Sequence, residues 1–375
     1  MRYRMFAKSA PGPKYVAMGW GCQDCSAQGS FDGGQVIAVA DGHGSSDCFR
    51  SQVGAALAVR AAIEQAKLAC KGAGSESFSD TGINNFKYQV WCEWRRLVKE
   101  DWEHRLSQGA PLGEGEVRFE SVSEKYKERF TSTQRDVVER YLYTAYGTTL
   151  LWVVVIESQI LLLQIGDGTC VVLRRDGKYC TPVPDEEENF LNVTVSLCGE
   201  NASSKIRHCV LDRHAGSPTE PIAVFLSSDG VDDCFPIYMN ELHLFKLYTL
   251  IIENVLESGF DATESEIEQE LLPDLTSRGS HDDISLAYLI CDDLDTLRQT
   301  YEQIDSAHKP TPKAVELERE TPGECGGEQE TRSGIVRRHL CRRACRLAPE
   351  DLRQKFVSKS SMGILRPKCG RLPSK

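Results

Sequence analysis

The chain has 375 residues, 41% hydrophobic and 26% charged, with a formal net charge of −11. Residues 331–375 hold 13 Lys and Arg against two acids, so this tail carries +11 and residues 1–330 carry −22. The composition is that of a globular protein, one large domain with appendages or two domains, and its acidic body argues against a nucleic-acid-binding core.

The N-terminal stretch MRYRMFAKSAPGPKY lacks an apolar signal core. Residues 14–42 read as two strands around a loop at Ser26–Gly34. Residues 47–70 carry a helical stripe at Val53, Ala56, Leu57, Ala61 and Leu68. A Gly/Ser-rich break at Gly72–Asp80 separates this from a long amphipathic helix over 83–106, with Phe86, Val90, Trp94, Leu97 and Trp102 on its apolar face. Trp91, Trp94 and Trp102 belong to the core by this spacing. Gly109–Gly115 breaks the pattern again, and Val122–Tyr143 reads as a further helix.

From Gly147 to Thr181 the period becomes strand-like, with turns at Glu157–Gln159, Gly166–Gly168 and Asp176–Gly177. The most apolar segment, Leu150–Ile165, is interrupted by Glu157, Ser158 and Gln159, so it is a pair of strands and not a membrane span. Asn192–Leu211 and Ile222–Ser227 add strands, Tyr238–Leu256 and Glu264–Leu272 are helical, and Ile284–Ile290 is a last buried strand. The pattern fades after Asp295. The expected organisation is a folded domain over 1–295, a flexible linker over 296–334 and a basic tail over 335–375 that can dock an acidic partner. Clustered helices and hairpin-linked strands without βαβ spacing predict an α+β fold with antiparallel sheets.

The 15 cysteines are not spaced as a disulfide framework, and most fall inside apolar or helical patterns, as at Cys70, Cys92, Cys170 and Cys291. They read as reduced thiols of a cytoplasmic protein. Cys22-x-x-Cys25 lacks the βαβ context of a redox motif, and Cys325, Cys341, Cys345 and Cys369 are too irregularly spaced for a zinc site.

The chemistry concentrates where apolar strands end in acids. VIAVADGHG delivers Asp41, Gly42, His43 and Gly44 to a tight turn. Gly21-Cys22-Gln23-Asp24 precedes the first loop, AVFLSSDG delivers Asp229, and SHDD places Asp282 and Asp283 just before the last strand. Each is unremarkable alone: Asp-Gly is a common turn dipeptide, and a lone histidine is usually a surface residue. Together, acids at the ends of strands far apart in sequence are what a hard divalent cation requires, with Mg²⁺ and Mn²⁺ taking oxygen ligands and retaining waters.

Five pieces in this order, VADGHG (39–44), YGTTLL (146–151), QIGDG (164–168), LSSDGVDD (226–233) and SHDDISL (280–286), resemble the metal-dependent type 2C Ser/Thr protein phosphatases. The resemblance spans roughly residues 14–292 and is closest to a bacterial subgroup, on GCQD, on FRS at 49–51 and on NVTVSL at 192–197. It implies a four-layer α-β-β-α sandwich of two antiparallel sheets flanked by helices. It also implies hydrolysis of Ser/Thr phosphate monoesters by a metal-bridging water, on phosphoprotein substrates in signalling, opposite a cognate kinase. Asp41 would bridge two Mn²⁺ or Mg²⁺ ions, with the Gly42 carbonyl, Asp229 and Asp282 completing one shell, Gln23 and Asp24 serving the other, and His43 acting as general acid. Asp167 reads as a structural turn residue.

Three departures from the family pattern stand out. Gln23 occupies the place of a metal-binding glutamate. Gly19 occupies the place of the phosphate-holding arginine; Arg50 is either its substitute or a cap for the helix it begins. No acid lies in Arg140–Tyr146, where relatives carry a ligand for a third ion. These departures motivate an alternative reading, a catalytically weak or inactive phosphatase-like protein that binds phosphoproteins or acts as a scaffold.

Overall fold

A computed structural model of the chain describes residues 1–19, 21–70, 78–107, 124, 128, 141–184 and 194–309. The basic tail with its cysteines and nearly all of the helix expected over Val122–Tyr143 lie outside the described residues.

In chain order the elements are β1 (Tyr3–Ala10), α1 (Pro13–Ala17), β2 (Cys25–Phe31), β3 (Gly34–Ala40), α2 (Ser51–Ala69) and α3 (Asp80–Ser107). There follow β4 (Leu150–Val155), β5 (Gln159–Ile165), β6 (Thr169–Arg174), β7 (Tyr179–Cys180), α4 (Ala202–Lys205) and β8 (Arg207–Asp212). The chain continues through β9 (Pro221–Ser227), α5 (Asp229–Asp232), α6 (Asn240–Ser258), α7 (Phe260–Glu266), α8 (Leu272–Asp274), β10 (Ile284–Cys291) and α9 (Leu294–Gln303).

The strands form two five-stranded sheets, ordered β1-β10-β9-β6-β7 and β2-β3-β4-β5-β8. Every strand pairing is antiparallel. Strands β4, β9 and β10 are buried along their whole length, which explains their unbroken apolar sequences: both faces of each sheet are covered. Ile37, Val39, Val153, Leu162, Val224 and Leu289 fill the space between the sheets. Their alternates Val36, Ala38 and Trp152 face outward onto the α2–α3 side, against Ala58, Ala62 and Trp94. On the opposite side Phe225 and Tyr288 meet Tyr248 and Ile251 of α6, with Phe225 and Tyr248 stacked at 4.3 Å between ring centroids. The layers are therefore α-β-β-α, the expected α+β sandwich.

Small residues set how closely the helices lie. Ala55, Ala58, Ala61, Ala62 and Ala66 form the buried stripe of α2. Trp94 of α3 is wholly buried, and its indole N–H donates to the Gly54 carbonyl at 3.0 Å, so the one polar atom of that ring is satisfied. Trp102 is also buried.

The structure departs from the sequence reading in five places. The first of the two strands expected over 14–42 is not formed: its start is the short helix α1, and no strand lies among the described residues between α1 and Cys25. β1 was not expected; only Tyr3, Phe6 and Ala10 of its residues are buried, too irregular for a clean strand alternation. The segment read as a loop, Ser26–Gly34, is mostly β2, whose Gly, Ser and Gln suit a half-exposed edge strand. The strand expected from Asn192 begins only at Arg207, because residues 194–206 cross the sandwich end as an irregular segment with one short helix. Finally, the packed chain does not stop at 295. Asp293 caps α9 by accepting from the Asp295 and Thr296 amides, Leu297 and Thr300 are buried, and the Tyr301 hydroxyl donates to Glu253 of α6 at 3.0 Å. The boundary expected at 295/296 therefore falls inside the fold. A strongly polar helix with few buried side chains hides from an apolar-pattern reading.

Leu297→Ala should accordingly destabilise the protein by about 2–5 kcal/mol, the range for emptying a buried leucine site, as read from the midpoint of urea unfolding.

Candidate active site

At one end of the sandwich a cavity of about 170 Å³ is lined by Tyr15, Asp41, Gly42, His43, Gly44, Asp167, Thr194, Asp229, Asp282 and Asp283. Both sheets build it. β3 of one sheet ends in Asp41, β9 of the other runs into Asp229 through Ser228, and β10 starts immediately after Asp283.

The Asp41–His43 turn is held by the segment leading into β4. The Thr149 amide donates to the Asp41 carbonyl at 2.8 Å, and the Thr148 hydroxyl donates to the same carbonyl at 2.8 Å. In return the Asp41 amide donates to the Thr149 hydroxyl at 3.1 Å. The His43 amide donates to the Gly147 carbonyl at 3.1 Å. A Cβ at position 147 would lie 2.8 Å from His43 Cδ2, so only glycine lets the imidazole rest there. The YGTT segment thus positions the turn that carries Asp41 and His43.

The two neighbouring acids 282 and 283 divide their roles. Asp283 is buried, and its carboxylate accepts from the Gly12 and Gln23 amides, each at 2.7 Å. Two such bonds to a charged acceptor tie the N-terminal segment to the start of β10. Asp282 is half-buried, and among the described residues its carboxylate accepts from the Asp283 amide at 2.9 Å and otherwise faces the cavity. Ser228 and Ser285 lock β9 to β10 beside it: the Ser285 amide donates to the Ser228 hydroxyl at 2.9 Å.

Burial and the charges of neighbouring acids raise several of the acids in and around the cavity. Burial, reinforced by the Asp24 and Asp229 charges, pushes Asp41 well above the usual carboxylate range. Burial raises Asp24 to about 8, opposed by a hydrogen bond from Ser228 and assisted by the Asp283 charge. Burial raises Asp229 to about 6 and Asp232, one turn on, to about 7. One oxygen each of Asp24 and Asp232 is buried with no hydrogen-bond partner.

Of the expected site residues, Asp41, Gly42, His43, Asp229 and Asp282 share this cavity. Gln23 and Asp24 lie buried behind its wall and do not line it. The Gln23 side-chain oxygen accepts from Ser51 at 3.3 Å, at the start of α2, and the Gln23 carbonyl accepts from the Gly42 amide at 3.2 Å. Asp24 acts on the cavity through its charge.

Arg50 is a correction. Its side chain is 3% exposed, pairs with Asp101 of α3 at 2.5 Å and lies over the Tyr146 ring at 5.0 Å. It ties α2 to α3 and does not reach the cavity. Asp167 is the reverse case: it was read as structural, but it is exposed on the cavity wall, where its carboxylate accepts from the Thr194 hydroxyl at 2.6 Å. The signal was present in QIGDG, an apolar strand ending in an acid like the others. Tyr15 and Thr194 were also missed, since neither lies at a strand end. Among the described residues no three His, Cys, Asp or Glu side chains form a ready-made metal-holding group, and the described cysteines, Cys22 and Cys25 included, are free thiols.

Residues 12–269 match the family model for Protein phosphatase 2C, well over half of the chain. The chain belongs to the protein phosphatase 2C family. Similar solved structures include the Mycobacterium tuberculosis serine/threonine phosphatase PstP/Ppp, at 14% identity over 78% of this chain and 99% of that one, TM-score 0.44. The S. agalactiae serine/threonine phosphatase is similar at 15% identity over 77% of this chain and 100% of that one, TM-score 0.45. A C. elegans sex determining protein is similar at 14% identity over 81% of this chain and 68% of that one, TM-score 0.45. No curated protein matches the chain significantly by sequence.

The raised acids set a pH dependence. An unfolded aspartate titrates near 4, at about 3.9. An acid raised on folding contributes its extra stability below that value and loses it as pH climbs through the folded one. The loss begins near the unfolded value of about 3.9 and is nearly complete by about 6 for Asp229, whereas for Asp24 it continues to about 8. In chelator, the protein should melt at a lower temperature at pH 8.5 than at pH 6 by differential scanning fluorimetry, and Asp24→Asn should flatten that slope.

Proposed function

We propose that the protein is a divalent-metal-dependent Ser/Thr phosphoprotein phosphatase. The observation that carries this reading is the convergence of Asp41, Asp229, Asp282 and His43, from both sheets, on one cavity. Family membership supports it.

The donor set suits Mn²⁺ or Mg²⁺. It offers oxygen ligands only, in excess negative charge, and the buried partnerless oxygen of Asp24 shows how little the protein alone offsets that charge. Asp41, the Gly42 carbonyl, Asp229 and Asp282 would hold the cations, with Asp24 contributing from behind the wall. A bound divalent cation supplies Lewis-acid polarisation of the phosphoryl group and lowers the pKa of water. Two ions are the expected number; no acid in the segment before Gly147 supports a third.

In the reaction, water adds to phosphorus, and the bond from phosphorus to the seryl or threonyl oxygen breaks in line. His43, fixed by Gly147 at the cavity mouth, donates a proton to the departing oxygen. The Thr148 hydroxyl and the Thr149 hydroxyl and amide keep the Asp41 backbone from shifting as charge redistributes. One observation favours the second reading, a phosphoprotein-binding module with weak or no catalysis: the Gln23 side chain is turned to Ser51 and is absent from the cavity lining. The substrate under either reading is a phosphorylated protein, with a kinase as its natural counterpart. A cytoplasmic site of action is part of the proposal; no helix among the described residues is long and apolar enough to cross a membrane.

With Mn²⁺ present, the purified protein should hydrolyse both an aryl phosphate and a phosphoseryl peptide. His43→Ala should lower kcat on the phosphoseryl peptide by about 10²–10⁴-fold. It should do so much less on the aryl phosphate, whose leaving group needs no proton. Asp41→Asn and Asp229→Asn should abolish turnover on both. Wild-type protein that binds the phosphopeptide but turns over neither substrate would instead establish the binding-module reading.

A further inference from the structure

The cavity has a charge imbalance that its lining does not resolve. Asp41, Asp167, Asp229, Asp282 and Asp283 wall it, and neither Lys nor Arg is among the lining residues. A phosphomonoester adds negative charge to this wall. Arg50 is committed to Asp101 deep between α2 and α3. A cation for the phosphate must therefore come from an element that touches the wall.

Helix α1 is the one that qualifies. Its approach is fixed at Gly12, whose amide donates to Asp283 Oδ1 at 2.7 Å. A Cβ on Gly12 would lie 2.6 Å from the Asp282 carbonyl carbon, so glycine lets α1 start directly against the acidic wall. Tyr15, three residues on, lines the cavity itself. Between them is Lys14, exposed, with its ammonium 4.9 Å from the centroid of the Tyr15 ring. It forms no ion pair among the described residues. A lysine is a compact point charge on a flexible four-carbon stem with three rotatable donors. Resting on the face of an aromatic ring is a weak, reversible station for such a group.

We propose that Lys14 is the cation that holds the substrate phosphate in this cavity, swinging from the Tyr15 ring to donate to a non-bridging phosphate oxygen. The inference rests on the phosphatase reading and deepens it: the cavity selects a phosphomonoester dianion through a residue on α1. The Tyr15 ring serves as the resting place that keeps the ammonium at the cavity rim when no substrate is bound.

The test compares wild type, Lys14→Ala and Lys14→Arg, all loaded with Mn²⁺. It uses steady-state kinetics on an aryl phosphate and calorimetric titrations with inorganic phosphate and with Mn²⁺. Lys14→Ala should raise KM and the phosphate Kd on the order of tenfold or more, the effect of losing one charged hydrogen bond. Its kcat and Mn²⁺ affinity should stay close to wild type, and Lys14→Arg should recover most of the loss. A Lys14→Ala protein that turns over substrate with wild-type KM and phosphate affinity overturns the Lys14 assignment and leaves the phosphatase reading standing. The same holds if Mn²⁺ affinity or melting temperature falls in step with phosphate affinity, since the effect is then structural. Wild-type protein that neither hydrolyses the ester nor binds phosphate overturns both.

Discussion

Mutual repulsion among buried aspartates is the constraint on which the rest of this structure depends. Asp24, Asp41, Asp229 and Asp232 are all raised by burial first, and the charges of neighbouring acids, Asp167, Asp233, Asp282 and Asp283 among them, add to it. Such an assembly does not form of its own accord; something must hold the acids together against their repulsion. Here it is the sandwich. Asp41 ends a strand of one sheet, Asp229 follows a strand of the other, and Asp282 precedes the strand that pairs with it. The apolar layer between the sheets, built from residues such as Ile37, Val39, Val224 and Leu289, supplies the burial free energy that offsets this cost. The cavity is a consequence of two sheets ending at the same place.

Precision comes from a second set of interactions, nearly all with backbone. The Asp41 backbone is held on both sides by Thr148 and Thr149, and the His43 amide by Gly147. Asp283 gives up its own carboxylate to the Gly12 and Gln23 amides. This division of labour, with one acid of a neighbouring pair spent on the frame and the other kept for the cavity, explains why SHDD carries two acids in a row. Either acid alone would leave the N-terminal segment untied or the wall one charge short.

Much of this was legible in the sequence, because the functional acids sit where an apolar run stops abruptly. VIAVADGHG and AVFLSSDG announce both a buried strand and the carboxylate at its end, and DDISLAYLI announces the strand whose start Asp282 precedes. What was not legible fails for identifiable reasons. β2 is an edge strand of small and polar residues, so it reads as a loop. α9 is polar but anchored by Leu297 and by the Asp293 cap, so it reads as linker. Arg50 is one residue before a helix that packs on α3, and no local pattern reveals that Asp101, 51 residues on, captures it. Asp167 had the same strand-end signature as Asp41, but a tight turn offered a sufficient local explanation. Tyr15 reaches the cavity because the Gly12–Asp283 hydrogen bond folds the N-terminal segment back across 271 residues.

The departures at Gln23 and Gly19 acquire a physical meaning in this setting. A glutamate at position 23 would add a further negative charge behind a wall whose acids already resist ionisation. Glutamine instead keeps the size and the hydrogen bond to Ser51 without the charge. A glycine at position 19 removes a positive charge from the same side, and Gly19 adopts φ +71°, a conformation suited to ending α1 rather than to presenting a side chain. Removal of one charge of each sign leaves the local balance nearly unchanged and shifts the work of each. The negative contribution behind the wall falls to Asp24. The positive contribution at the rim falls to α1, the helix that Gly12 presses against Asp282. The residues at 19 and 23 thus read as one coupled arrangement of charge around the strand ends that carry Asp41 and His43.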